Sequence, residues 1–425
     1  MQKYELTVAG GGLTGVAAAV AAAREGMKVL LVERYGFLGG AATNSQVNPF
    51  APTMVKKIAN GNGKSFSINK GIFELIQNRL EKMGGLTVRK TTFNEEILKI
   101  VLDALIMEYN VSVLFHSYIT SVEKTGNHID SITIANKSGN EKIYSDYFID
   151  CTGDADVAAL AGCPNHLGRS EDGLCQPMTL CFRIGNIALN KNTPEFSDVM
   201  KQVNDLYKKF RLSGKIKNPR ENVLVFDHMC NGVIHFNSTR IVRRNPIDSH
   251  DVSIAEIVAR QQMWELYSFL KENIPQFKNS VLLTSGAQIG VRESRMIDGA
   301  YTITVEDILS CKKFDDAIAC GNYSVDIHSP DGTGTVMRHI PDGDYYTIPY
   351  RALLPKGVNN LLVAGRCISS THEAQSAYRV MPICCCMGEA AGAAASIAAK
   401  GGTAMKNVDI KEVQHIIEHH GGRCK

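Results

Sequence analysis

The sequence predicts an α/β fold, a parallel sheet joined to a β-meander and interrupted by a mixed α+β insertion. Three observations predict it. An apolar strand at residues 3–9 runs into Gly10-Gly11-Gly12-Leu13-Thr14-Gly15 and then into an alanine-rich helix. A second apolar strand, residues 27–32, ends in Glu33. A third, residues 360–363, turns at Gly365-Arg366 ahead of a long helix of small residues.

The first turn is G-x-G-x-x-G with a strand before it and a helix after it, the context that gives the motif meaning. Gly10 allows the tight turn, Gly12 lets backbone approach a pyrophosphate, and Gly15 lets helix pack on strand. The helix N-terminus presents unpaired N–H groups and a positive dipole end to phosphate. Glu33 stands 18 positions after Gly15 (33 − 15). A carboxylate there can take ribose hydroxyls, and it repels a 2′-phosphate. These residues predict a Rossmann-type dinucleotide site. Past Glu33, the Gly39-Gly40 pair suits a loop pressed against the bound molecule.

Residues 50–70 are polar and read as a loop. Gly63-Lys64-Ser65 looks like the end of a P-loop, but Ile58 stands where that motif needs glycine, which excludes it. Residues 93–109 carry helical apolar spacing at Ile97, Ile100, Val101, Ala104 and Leu105, and a buried strand follows at 111–115. Runs at 118–122, 129–135 and 142–148 alternate and are separated by Lys124-Thr125-Gly126-Asn127 and Lys137-Ser138-Gly139-Asn140, the signature of a meander. The last run breaks at Thr152-Gly153-Asp154. Residues 166–345 change character, with long polar stretches, a helix near 254–272 holding the only tryptophan, and a bare Gly332-Thr333-Gly334 in a polar loop. Tight apolar patterning returns after 346 and closes with an amphipathic helix at 408–420, stopped by Gly421-Gly422. The expected organisation is a discontinuous nucleotide-binding domain of residues 1–50, 90–165 and 346–425, with residues 51–89 and 166–345 forming a substrate or cap domain.

Composition narrows the function classes. With 46 basic against 43 acidic residues the net charge is +3, so no electrostatic argument favours nucleic acid or an anionic membrane. The apolar stretch 13–23 is short and followed at once by Arg24-Glu25, which makes it a buried helix, since a span needs about 20 apolar residues. With a strand starting at residue 4 there is no room for a leader, and the expected location is the cytoplasm. The 12 cysteines include no C-x-x-C pair, which argues against iron–sulfur or structural zinc, and reduced thiols are expected. Cys384-Cys385-Cys386 read as small apolar residues on a buried helix, with a flavin-facing or covalently linked thiol as the sharper alternative. His415 and His419 share a helix face, but a lone pair four apart on a terminal helix is usually solvated, so no metal is expected. A homo-oligomer is only the base-rate expectation.

Several pieces together resemble one family. They are residues 9–15, Glu33-Arg34, Leu38-Gly39-Gly40, residues 150–156, Gly290-Val291-Arg292-Glu293-Ser294-Arg295, and residues 362–395. The chain resembles the FAD-dependent oxidoreductase family of the glutathione-reductase-like flavoprotein superfamily, over most of its length. The resemblance implies a three-layer Rossmann-type FAD domain with an inserted substrate domain. It implies FAD pyrophosphate at Gly10, Gly12 and Gly15, adenosine ribose at Glu33, and Arg34 over the adenine. Gly39, Gly40 and Thr43 would lie along the ribityl or flavin, with Ile119 near the adenine through its backbone. Thr152, Gly153 and Asp154 would close on the cofactor, Gly365 and Arg366 would approach the ribityl-phosphate, and Arg379, Val380 and Met381 would meet the ring. The helix after them would stabilise negative charge on reduced flavin. No second G-x-G-x-x-G follows a strand, and no C-x-x-x-x-C pair lies on the first helix, so a single-nucleotide flavoprotein is expected.

Flavin chemistry needs a substrate carbon near N5, a group to manage a proton and a clamp. His372 follows the Gly365-Arg366 turn and is a candidate acid/base, against a reading as a satisfied loop histidine. His328 ends a strand before a glycine-rich loop. Arg292 and Arg295 suit a substrate carboxylate or, equally, an ion-pair network between domains. Arg379 is the candidate nearest flavin and substrate. Tyr346 and Tyr350 border the cleft, with aromatic packing the plainer reading. The expected function is hydride transfer between a small organic substrate and flavin N5, with the electron acceptor or donor unassigned. Two other readings stay open: an FAD-containing isomerase or lyase, and a non-catalytic flavin-binding subunit.

Overall fold

A computed structural model describes residues 3–55, 65–189, 193–332 and 334–425. Gly63, Lys64 and Thr333 lie outside the described residues.

Strand β1 (Tyr4–Ala9) is the centre of the main sheet. It pairs in parallel with β2 (Val29–Val32), which pairs in parallel with β3 (Ser112–Leu114). Strand β2 is a continuous apolar run and β1 is buried at every position but Glu5, as expected of strands covered on both faces. The meander is β4 (Tyr118–Thr125), β5 (His128–Asn136) and β6 (Gly139–Asp150), antiparallel in that order. Strand β6 is longer than the alternating run suggests, and it does two jobs. Its first half closes the meander on β5; its second half inserts beside β1 with Ile149 level with Val8.

Helix α1 (Leu13–Arg24) crosses from β1 to β2, and alanines at 17, 18, 19 and 22 are fully buried. Helix α2 (Ile72–Lys82) follows the stretch 50–70 that reads as a loop. Helix α3 (Glu95–Glu108) starts at Asn94, whose side chain accepts the Glu96 and Ile97 N–H groups and stops the helix from running further back. After β6 the short α4 (Asp156–Leu160) follows the Thr152-Gly153-Asp154 turn.

A second sheet is built from residues 182–285. It consists of β7 (Phe182–Gly185), β8 (Val225–Phe226), β9 (Ile234–Phe236) and β10 (Val281–Ser285), antiparallel in the order β8-β9-β7-β10. Helices α5 (Pro194–Leu212) and α6 (Ser249–Asn273) pack on it, burying Val203, Tyr207, Leu266 and Leu270 with Phe182 and Phe236 in a core of their own. Trp264 stays 60% exposed on α6. The hairpin β11 (Val325–His328) and β12 (Thr335–Arg338) follows.

The chain then returns to the first sheet. Strand β13 (Leu361–Val363) pairs in parallel with β6 on the side opposite β1. Two helices complete the fold, α7 (His372–Tyr378) and α8 (Met381–Gly401), before α9 (Ile410–His419). Helix α8 is long and apolar enough to cross a membrane, but 89% of its most apolar window is buried inside the fold. Cys384, Cys385 and Cys386 all lie buried on it. All 12 cysteines are free thiols.

Candidate active site

A groove runs from the Gly10 turn to the start of α8, lined by residues from both ends of the chain and by Gln288, Ile289 and Val291. Its three turn glycines face different constraints. Gly10 holds φ +95°, and a Cβ there would lie 2.6 Å from the Cys151 carbonyl oxygen. A Cβ on Gly15 would lie 1.8 Å from the Gly10 oxygen, so helix and strand touch backbone to backbone. Gly12 is different. Its φ is −65°, and the nearest atom a Cβ would meet is Gly40 Cα at 3.8 Å. Nothing in the protein demands glycine there; the space belongs to the groove.

Gly39 and Gly40 form the opposite wall, with the Gly39 N–H donating to the Gly11 carbonyl at 2.9 Å. Thr43 turns away, its hydroxyl donating to the Leu38 carbonyl at 2.8 Å, and Asn44 and Ser45 line the groove beside it. Glu33 lies at the end of β2, 5% exposed. Its Oε2 accepts the Gly11 N–H at 2.6 Å and its Oε1 the Tyr35 N–H at 2.9 Å, which aims the carboxylate at the turn. Burial nevertheless raises its pKa. The Arg34 guanidinium packs 5.0 Å over the Tyr35 ring, and Ile119 lines the groove from β4.

The far wall is held by two acids with opposite titration. Asp150 ends β6, fully buried, and accepts the Thr152 hydroxyl at 2.7 Å and the Ala158 N–H at 3.0 Å. Burial and the nearby Asp156 push its pKa up to about 6. Burial also works against ionised Asp154, but Arg366, Ser294 and Arg34 outweigh it and lower that pKa. Asp154 Oδ1 accepts from Arg366 at 2.7 Å and from Ser294 at 2.6 Å. One carboxylate thus ties the β6 turn, the Gly365-Arg366 turn and residue 294 together. Thr152, Gly153, Gly365 and Arg366 all face the groove.

At the other end the groove meets Arg379, Met381 and Cys384, where α8 begins without a side-chain cap. Val380 is the N-cap residue, just outside the lining. Of the four candidate catalytic residues, Arg379 alone lines the groove. His372 is buried, its Nδ1 2.8 Å from Glu293 Oε1, while Glu293 Oε2 accepts the Gln176 N–H at 2.7 Å. His328 is 9% exposed, with Nδ1 3.3 Å from Arg240 Nη2 and Nε2 3.5 Å from Asp326. A guanidinium only donates, so Nδ1 must accept and the ring proton sits on Nε2, toward Asp326. Burial and the nearby Arg292 drop the His328 pKa to about 3. Arg292 donates to the Pro177 carbonyl at 2.6 Å; burial and Arg379 lower its pKa to about 9. Tyr346 and Tyr350 are core residues whose hydroxyls donate to backbone carbonyls. His415 and His419 stack with ring centroids 6.3 Å apart, and among the described residues no group of three His, Cys, Asp or Glu side chains could hold a metal ion.

The model of the FAD dependent oxidoreductase family matches residues 5–417. The chain belongs to that family. The thiamine thiazole synthase of Methanococcus vannielii is 31% identical over 203 residues, 45% of this chain and 72% of that protein. A geranylgeranyl bacteriochlorophyll reductase-like protein from Thermoplasma acidophilum superposes with a TM-score of 0.48 at 12% identity, over 99% of this chain and 83% of that one. The flavin-dependent brominase Bmp2 gives 0.46 at 11%, over 99% and 85%.

This family's FAD fits the groove. The open cradle over Gly12 admits a pyrophosphate that a Cβ would exclude, and Arg366 Nε is buried on the wall without a partner among the described residues. Several lining residues carry no signal in the sequence: Asn44 and Ser45 follow the Gly39-Gly40 turn onto the wall, and Tyr118, Gln288 and Ile289 reach it only because the meander and residues 288–289 fold against the turn. Of the adjacent Cys384, Cys385 and Cys386, which the sequence does not tell apart, Cys384 alone faces the groove.

Proposed function

We propose that this FAD-dependent oxidoreductase transfers a hydride between a small organic substrate and the flavin, with residues 166–345 supplying the substrate side. The observation that carries the reading is the groove itself: one continuous channel lined by the glycine turn, the Asp154–Arg366 pair and Arg379. When bound, FAD supplies the hydride acceptor or donor at N5. The rest is the work of this chain's residues. Gly12 and the N-terminus of α1 hold phosphate through backbone N–H groups. Glu33 takes ribose hydroxyls with the lone pairs left after its two backbone bonds. The uncapped start of α8 favours negative charge beside Met381.

Arg379 is the residue we assign to contact with the substrate. His372 and His328 act as positioning residues. Glu293 holds His372 and the Gln176 backbone, and Gln176 Oε1 in turn accepts from Arg379 at 3.4 Å. Protein purified from flavin-replete cells should be yellow, and a substrate should bleach it in the absence of air. Colourless protein from such cells would sink the reading. Turnover of a substrate without bleaching would favour an isomerase or lyase instead.

A further inference from the structure

We propose that the substrate is a small organic acid, best a dicarboxylate, bound by Arg220, Arg292 and Arg379. The proposal rests on reading the groove as the site of hydride transfer.

Three buried or half-buried guanidinium groups form no ion pair among the described residues, and two of them, Arg292 and Arg379, reach the adjacent residues Pro177 and Gln176. Arg220 is 4% exposed; among the described residues its guanidinium has neither a hydrogen-bond acceptor nor a carboxylate within 4.0 Å, and its Nε is buried and unpartnered. Arg292 meets only neutral acceptors, the Pro177 carbonyl at 2.6 Å and Asn237 Oδ1 at 3.4 Å. Arg379 makes two long bonds of 3.4 Å, to Gln176 Oε1 and the Asp326 carbonyl, and its Nε too is buried and unpartnered. The groups feel one another: besides burial, Arg379 and Arg220 depress Arg292 to about 9, and Arg240 helps lower Arg220 to about 10.

The neighbouring acids are committed. Glu221 pairs with Arg240 at 3.0 Å. Asp326 accepts the Tyr323 hydroxyl at 3.0 Å and faces His328. Burial raises the Asp326 carboxyl, but His328, Arg379 and Tyr323 hold it far below the usual range. His328 itself is neutral. Glu221 offsets Arg240, and Asp326 offsets one of the other three, which leaves two positive charges with no counter-ion among the described residues. A buried cation without a partner is costly, and the cost is removed when an anion arrives. The planar guanidinium fork matches a carboxylate two bonds at a time. Arg379 belongs to the groove wall while Arg220 and Arg292 lie outside the lining, so an acid held by all three would extend past Arg379 out of the flavin groove. A neutral substrate would leave all three unpaired.

The test titrates the flavin-loaded protein with oxalate, malonate, succinate and glutarate, and with succinamide and inorganic phosphate as controls. The readouts are the flavin absorbance and the melting temperature. At least one diacid should bind saturably while succinamide does not. R220M should weaken that binding by about tenfold or more and leave flavin content intact. Because it removes an uncompensated buried charge, R220M should also leave the ligand-free melting temperature unchanged or higher; R379Q should weaken binding as well. The proposal is overturned if succinamide or phosphate binds as tightly as every diacid, if no diacid binds, or if R220M lowers the ligand-free melting temperature with acid affinity unchanged. Failure of the parent reading looks different: protein without flavin still reports acid binding through its melting temperature, and bleaching by a neutral compound with no acid binding defeats only the present inference.

Discussion

Gly388 in α8 lies against Thr14 in α1 so closely that a Cβ there would come within 2.0 Å of the Thr14 carbonyl oxygen. One turn on, Gly392 stands in the same relation to Ala18, at 2.2 Å. The two helices are joined through their backbones, more than 370 residues apart in sequence (388 − 14). That contact brings the groove's two ends, the Gly10 turn and the start of α8, into one channel.

The glycines of the turn should separate by experiment. Gly12→Ala meets nothing in the protein, so the flavin-free melting temperature should stay within about 2 °C while flavin content falls sharply. Gly15→Ala drives a methyl into the Gly10 oxygen and should cost about 2 kcal/mol or more in urea unfolding. Equal flavin retention in wild type and Gly12→Ala would remove the cradle from the argument.

Glu389 makes stability fall with rising pH. It is buried in α8, accepts the Ile72 N–H at 3.0 Å, and has Arg24 at 3.9 Å. Burial raises its pKa to about 7, above the 4.5 of the unfolded chain. The native state therefore binds the extra proton between those values, and the stabilisation present below pH 4.5 is lost as pH rises through 7. Glu389→Gln should be more stable than wild type at about pH 8, by up to about 3 kcal/mol, and lose that advantage near pH 4. Urea unfolding at the two pH values checks the sign.

His235 acts in the opposite direction. It is 1% exposed on β9, and neither ring nitrogen has a partner among the described residues. Burial and the neighbouring Arg183 lower its pKa to about 3, from 6.5 in the unfolded chain. Unfolding takes up a proton, so stability is lost as pH falls from 6.5 toward 3. His235→Phe should resist acid better, by roughly 3 kcal/mol at about pH 4. Identical acid unfolding midpoints would refute it.

Thiol labelling should be nearly silent. Cys230 is exposed and the other cysteines are buried, with Cys384 raised to about 12 by burial. A thiol reagent on the native protein should modify Cys230 alone, and Cys230→Ser should abolish fast labelling. Rapid labelling of Cys384 in flavin-loaded protein would mean that the start of α8 is open.

The parts of the site that were legible are the local ones. Gly10, Gly12, Gly15 and Glu33 announce themselves because a strand, a tight turn and a helix must follow one another within a few residues, and only certain side chains allow it. The break at Thr152-Gly153-Asp154 and the Gly365-Arg366 turn were visible for the same reason, and both line the groove. Helix α2 was missed because its apolar face follows a polar stretch with no cap signal: Gly71 precedes it, and the first N–H is met by Glu389 from the other end of the chain.

The histidines show the limit from the other side. His372 and His328 stand at suggestive places in the sequence, yet His372 meets Glu293 and His328 meets Arg240 and Asp326, and neither lines the groove. Arg220 gave no signal at all, since an arginine in a polar stretch reads as solvated. The amino-acid order alone determined the nucleotide turn, the parallel sheet and the meander, because backbone geometry and hydrophobic period are local. Which charges end up buried without a partner was decided only when distant segments packed, because desolvation depends on every neighbour in space and on none in particular along the chain.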